Sequence, residues 1–167
     1  GGIMQDAMEW IRDNGLEGPF CGNGYTGVNV PPTCISCSTE HKEYIVKCDT
    51  PKYSQNYDKD FIIDGLQTGP VTIAVNDSSF QTYTGGVLTL DEGYTHAVMI
   101  VGYIKCNNKE YWKIQNSWGI THGHEGYAYV EIVDNMNIGL ITYCTPYLYD
   151  ESTDKYEPGN IPDKYNK

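Results

Sequence analysis

His96 stands at the head of the apolar run Ala97-Val98-Met99-Ile100-Val101, and Asn116 follows the alternating segment Tyr111-Trp112-Lys113-Ile114-Gln115. If these segments are consecutive antiparallel strands, those two ends meet and an imidazole lies beside an amide carbonyl. Such a partner holds the ring in one tautomer and one orientation, as a general base requires. A histidine held this way can take a proton from a thiol, giving a thiolate–imidazolium pair. Trp118, two residues beyond Asn116, can cover the hydrogen bond and exclude water, and dry surroundings strengthen electrostatic contacts. The plainer alternative is a satisfied structural histidine followed by an ordinary Asn-Ser-Trp-Gly turn.

Other residues offer less. His122 and His124 flank Gly123, with Glu125 adjacent, and His96 could complete a ligand set. Two histidines around one glycine are more often surface groups, so no metal is expected. His41 lies in a polar Ser-Thr-Glu-His-Lys run and reads as solvated. Of six cysteines, Cys21, Cys34, Cys37 and Cys48 lie close together, while Cys106 and Cys144 come later. Their spacing is not a tight pair of CxxC units, which favours disulfides over a zinc knuckle or reduced thiols. Asn76-Asp77-Ser78 is a candidate N-glycosylation acceptor, relevant only to a secreted chain. Gly85-Gly86 reads as a turn, and no phosphate loop is present.

The elements that must position these residues follow from periodicity. Residues 3–11 form a helix with Ile3, Ala7 and Trp10 on one face, ended by Asn14-Gly15. Residues 21–39 read as a loop rich in Gly, Pro, Asn and Thr. Residues 43–47 read as a short strand, 52–59 as polar turns and 60–66 as a short helix. Val71-Thr72-Ile73-Ala74-Val75 is strongly β-prone. Residues 97–104, 109–115 and 127–133 follow as strands. The expected class is therefore α+β, in three parts. Residues 1–62 make a partial helical and loop lobe. Residues 63–148 make an antiparallel β-barrel lobe carrying His96 and Asn116. Residues 149–167 make an exposed acidic, polar C-terminal extension.

The formal net charge of −11 argues against nucleic acid and anionic membranes as partners. No apolar stretch is long enough for a transmembrane helix. Gly1-Gly2 leads at once into an amphipathic segment, so the chain reads as processed or partial, with any targeting segment upstream.

Several motifs then align in order. Gly1-Gly2 precedes the first helix. Gly69-Pro70-Val71 opens a strand. Thr95-His96-Ala97-Val98 carries the histidine. Asn116-Ser117-Trp118-Gly119 is followed by Gly123-His124-Glu125-Gly126-Tyr127. In these the chain resembles the papain-like cysteine peptidases, the group of the cathepsins. The resemblance implies a papain-like two-lobe fold and hydrolysis of peptide bonds through a thiol acyl-enzyme. It makes His96 the base, Asn116 its orienter and Trp118 the shielding indole. Gly2 would pair with substrate backbone, and Met4, Ala74, Tyr94, Ala97 and Tyr143 would line a side-chain pocket. It implies no cofactor. The partners would be a peptide or protein substrate and an upstream segment or second polypeptide bearing the catalytic cysteine. The compartment would be lysosomal, vacuolar or extracellular.

The chain also departs from the family. The family nucleophile lies about 130–150 residues before its histidine, ahead of Gly1 here. The glutamine that stabilises the oxyanion belongs to that same segment. His122 stands where the family often has Trp, Thr95 where it often has Asp or Asn, and Ile138 where it often has Cys. The chain alone is therefore expected to be inactive. The other reading is a non-catalytic papain-like module with a structural or binding role.

Overall fold

The computed structural model describes residues 2–17, 45–150 and 152–158. Cys21, Cys34, Cys37 and His41 lie outside them. Helix α1 spans Met4–Asn14. Asp6 in its first turn and Arg12 in its last complement the helix dipole. Gly15 ends it at φ 84°, its N–H returning 2.7 Å to the Ile11 carbonyl. No residue of α1 is fully buried, and Ile3 and Trp10 are more than half exposed. The helix packs on β2 (Ile45–Cys48) and β9 (Gly139–Tyr143).

Strand β1 (Leu16–Glu17), β2, β10 (Pro146–Asp150) and β11 (Lys155–Pro158) form a four-stranded sheet in that order. Tyr149 pairs with Tyr156 in the β10–β11 hairpin, and the Lys47 ammonium sits 5.2 Å over the Tyr156 ring. The start of the acidic tail is thus paired strand.

The larger sheet has seven strands in the order β3-β9-β4-β6-β7-β8-β5. They are β3 (Lys52–Asn56), β4 (Val71–Val75), β5 (Val87–Leu88), β6 (His96–Cys106), β7 (Lys109–Gln115), β8 (Tyr127–Glu131) and β9. This corrects the expected antiparallel β-barrel. The order is a line whose end strands, β3 and β5, have one neighbour each, so the sheet is open. The β5–β8 pair is parallel. Alternation reports only that one face is buried, whereas closure requires the edges to pair. Here the edges are blunted instead, β5 by its two residues and β3 by its polar Lys52, Ser54, Gln55 and Asn56. Those same polar residues are why the segment reads as turns in sequence.

The buried face carries Val71, Ile73 and Val75 of β4, Val98 and Ile100 of β6, Trp112 and Ile114 of β7, and Val130 of β8. Helix α2 (Lys59–Leu66) covers it with Ile62, and α3 (Ser78–Gln81) with Phe80. The Asp58 carboxylate caps α2 by accepting from Phe61 N–H at 3.0 Å.

Between β4 and β9 the register slips. Thr72 faces Thr142 and Ala74 faces Gly139, so two steps on β4 match three on β9. The extra residue is a bulge at Leu140, whose φ is 47°. Its consequence reaches the site.

Candidate active site

β6 begins at His96 opposite Val75, the last residue of β4, and β7 runs back to end at Gln115, with Asn116 next. The antiparallel β6–β7 pairing brings these ends to one edge of the sheet, as the spacing predicted. There His96 Nε2 lies 2.9 Å from Asn116 Oδ1. The same oxygen accepts from Ser117 N–H at 2.8 Å, and Asn116 N–H donates to the Gly126 carbonyl at 3.0 Å. The Ser117 N–H can only donate, which assigns the facing amide atom as the carbonyl oxygen. His96 Nε2 must then be the protonated nitrogen of the neutral ring, leaving the Nδ1 lone pair to act as base.

Aromatic rings box the imidazole. Trp118 lies 5.2 Å from the His96 ring centroid at 32°, and Phe80 meets it edge-on at 6.0 Å and 71°. Phe80 is fully buried, while Trp118 keeps 38% of its surface exposed as an outer cover. His122 packs edge-on to Trp118 at 4.8 Å and 81°. It braces the indole rather than reaching toward a metal. Among the described residues no cluster of three or more His, Cys, Asp or Glu could hold a metal ion.

Asp77 is a member that sequence reasoning passed over. Thr95 Oγ1 donates to Asp77 Oδ1 at 2.6 Å and accepts from Asp77 N–H at 3.1 Å. Gln81 Nε2 donates to the other carboxylate oxygen at 3.1 Å. These bonds, Thr95 first and Gln81 second, with a lesser pull from His96, hold the carboxyl below its usual range. A fixed negative charge thus stands beside the residue that precedes the base. Asp77 was visible only as the middle of a glycosylation triplet, and Phe80 only as one apolar residue in a polar stretch. Neither has a local signal. The Asn76 amide that would carry a glycan donates to the Glu92 carbonyl.

The sheet face opposite the core gathers most of the expected pocket. Ala74 pairs with Ala97 on one side and Gly139 on the other, and cross-strand partners share a face. The Tyr94 ring lies on Gly139 so closely that a Cβ there would meet it at 2.7 Å. Thr142 and Leu140 continue this face toward α1. There a crevice of about 250 Å3 is lined by Ile3, the residue ahead of α1, by Met4 in its first turn and by Tyr53 of β3. Gly2 is exposed just ahead of α1.

Tyr143 does not join this group. The resemblance is the basis for placing Tyr143 in the pocket; in a regular strand Gly139, Ile141 and Tyr143 would share one face. The Leu140 bulge turns Ile141 and Tyr143 to the core side. Tyr143 is 2% exposed, stacks 4.9 Å from Phe61 and donates its hydroxyl to Asp64 Oδ2 at 2.5 Å. Burial first, and the Asp64 carboxylate second, push its phenol up, so it remains a neutral donor.

No described cysteine serves His96. Cys106 ends β6, about 30 Å away at the usual rise of a strand. Cys48 and Cys144 are free thiols.

Comparison with known proteins places this geometry. Residues 1–145 match the sequence profile described as papain family cysteine protease. The chain is 31% identical over 146 residues to cysteine proteinase 2 of Leishmania pifanoi, covering 85% of this chain and 32% of that protein. It is 34% identical over 134 residues to a cysteine proteinase of Trypanosoma brucei brucei, covering 78% and 30% respectively. The chain thus spans about a third of the length of these curated relatives. Among solved structures, digestive procathepsin L2 proteinase from Tenebrio molitor larval midgut matches at 28% identity and TM-score 0.63, over 86% of this chain and 47% of that one. Bromelain protease from Ananas comosus, solved with the E64 inhibitor, matches at 25% identity and TM-score 0.61, over 86% and 69%.

Proposed function

The chain belongs to the papain family of cysteine proteases, and from that premise we propose that it supplies the base half of a thiol peptidase site. The family's chemistry is cysteine-type peptide hydrolysis. The observation that carries the proposal is the His96–Asn116 hydrogen bond at 2.9 Å, with the Asn116 oxygen fixed by Ser117. A decayed site would have no need to keep the protonated Nε2 committed and Nδ1 available.

In this reading the thiol comes from a segment ahead of Gly1 or from a second polypeptide. His96 Nδ1 takes the thiol proton, and the thiolate attacks the scissile carbonyl of a peptide or protein. The tetrahedral oxyanion collapses as imidazolium delivers the proton to the leaving amine. Water, deprotonated by the same nitrogen, then releases the acyl group and restores the thiol. No cofactor enters these steps. Asn116 keeps the ring in register through both transfers, and Trp118 keeps bulk water off that bond. Gly2 offers backbone to the substrate, while Met4, Ala74, Tyr94 and Ala97 form the apolar wall that receives a side chain. Tyr143 stiffens that wall from behind. A lysosomal, vacuolar or extracellular setting accompanies this reading, supported by likeness to a digestive midgut procathepsin.

The test is intact-mass analysis of the purified material with and without an epoxide thiol inhibitor. A second polypeptide gaining one inhibitor mass establishes the proposal. Material in which nothing gains that mass sinks it and leaves the non-catalytic module.

A further inference from the structure

Two thiols outside the site face each other. Cys48 is the last residue of β2, and Cys144 follows the last residue of β9. Across the β2–β10 pair Cys48 is opposite Pro146. The ladder continues one step, with Asp49 N–H donating to the Thr145 carbonyl at 3.1 Å and Thr145 N–H donating to Asp49 Oδ1 at 2.8 Å. Cys144 lies just ahead of β10, whose paired run these bonds extend, and its spacing of two from Pro146 carries it to the side of Cys48. Cys144 is therefore the diagonal neighbour of Cys48, and each thiol bears on the other's ionisation. Cys48 is 6% exposed and also donates to the Met8 carbonyl of α1 at 3.6 Å. Cys144 is half-buried, and Cys106 is exposed at the far end of β6.

We propose that Cys48 and Cys144 are a disulfide-forming pair, a covalent modification site that ties β2, and through it α1, to the junction of β9 and β10. The inference does not rest on the peptidase reading. It uses neither the base nor the crevice, and no metal cluster claims these sulfurs among the described residues. The tie is placed where the fold is otherwise thin. β2 and β10 share only two paired positions, and α1 buries no residue fully. Yet Ile3 and Met4, at the start of α1, form one wall of the crevice, whose other wall is β9 with β3. A bond from Cys48 to Cys144 fixes one wall against the other.

The step balances with a small-molecule disulfide as oxidant. One protein thiolate attacks it, displacing one small thiolate and leaving a mixed disulfide. The second protein thiol, deprotonated, displaces the other, so two small thiols carry away two electrons and two protons. Burial pushes both protein thiols up, that of Cys144 to about 12. The reduced pair is therefore slow to react with alkylating reagents, and formation of the bond quickens as pH rises. The pairing also removes Cys48 from any set with Cys21, Cys34 and Cys37.

The experiment equilibrates the full chain in mixtures of oxidised and reduced glutathione. It is then quenched in acid, blocked with N-ethylmaleimide in denaturant, and peptide-mapped. The expected result is one linked peptide joining Cys48 to Cys144, formed in native buffer and scrambled when oxidation is carried out in guanidinium. Cys48→Ser and Cys144→Ser should each abolish it, and Cys106→Ser should leave it intact. Linkage of Cys48 to Cys21, Cys34 or Cys37 would overturn the proposal. So would full blocking of both residues at every glutathione ratio, a readout on the wild-type chain that does not depend on a variant folding.

Discussion

Asn116→Ala isolates what the amide does for the base. The Asn116 oxygen accepts from His96 Nε2 at 2.9 Å and from Ser117 N–H at 2.8 Å. The Ser117 amide lies at an exposed position and can turn to water when the side chain is removed. His96 Nε2–H loses its only protein partner among the described residues, in a place half-closed by Trp118 and Phe80. A neutral hydrogen bond of this kind contributes about 1 kcal/mol net, roughly 0.5–1.5. That energy separates two tautomers of one ring, so its loss changes their ratio by about five-fold, since 1.4 kcal/mol is ten-fold.

The assay is long-range proton–nitrogen NMR of the imidazole in alkaline buffer, where the ring is neutral. It needs no nucleophile and reads this chain as it stands. The wild type should show His96 almost wholly as the Nε2–H tautomer, and the variant a mixture with a substantial Nδ1–H share. In material that includes the thiol-bearing partner, the same variant should lose up to about five-fold in kcat/KM, the most that this change in tautomer ratio can remove. A wild-type ring protonated at Nδ1, or tautomer ratios unchanged by Asn116→Ala, would refute the assignment of Nδ1 as base.

Other outcomes follow from the packing and the charges. A Cβ at Gly65 would meet Val71 at 2.6 Å and the Tyr143 ring at 2.7 Å, both buried. Gly65→Ala should therefore destabilise by up to about 2 kcal/mol in urea melts, the overpacking of about 1–3 being offset by a helix-propensity gain of about 1. Gly139→Ala meets only the tip of half-exposed Tyr94, which can swing away. It should change stability by no more than about 0.5 kcal/mol while shifting the KM of substrates that fill the crevice. Glu110 is held at about 2, chiefly by Lys59 and then by Tyr103 and Lys105. A depressed carboxyl contributes stability above its unfolded value and loses it as pH falls through its folded value. Acid melts should therefore fall between pH 4.5 and about 2, and Glu110→Gln should flatten that limb. Oxidation of the Cys48–Cys144 pair closes a loop of about 100 residues, for which chain entropy sets a ceiling of about 4–5 kcal/mol. Calorimetry should show Tm rising on oxidation, with no rise in Cys144→Ser.

Much of the site was legible because its logic is local. His96 and Asn116 sit at the ends of an apolar run and an alternating segment, and one hairpin pairing is enough to bring them together. Trp118 follows two residues later. The same holds for α1, with its glycine stop, and for α2. What sequence could not supply depends on partners far along the chain. β3 is polar because it is an edge, and edges are polar for reasons that look like loop composition. Barrel closure was inferred from alternation, which is satisfied equally by an open sheet with a covered face. Asp77 and Phe80 join the site only because α3 folds back over the start of β6.

Tyr143 shows how small the deciding feature can be. The strand Gly139-Leu140-Ile141-Thr142-Tyr143 has the even spacing that puts its first and last residues on one face. One residue with positive φ at Leu140 reverses everything after it. The tyrosine leaves the crevice for the core, where its hydroxyl meets Asp64, and Thr142 takes its place beside Met4. A large ring at the crevice floor would have limited the side chains it admits. With Thr142 there, the limit falls instead on Met4 across the crevice and on the Tyr94 ring, which covers Gly139 farther along the same face. Tyr143→Phe should then change stability, through the lost bond to Asp64, and leave substrate preference alone. Thr142→Val and Tyr94→Ala should do the reverse. Kinetics of the three variants on peptides differing only in the side chain that enters the crevice would separate these outcomes. A preference that moves with Tyr143→Phe would show that the bulge does not turn that ring away.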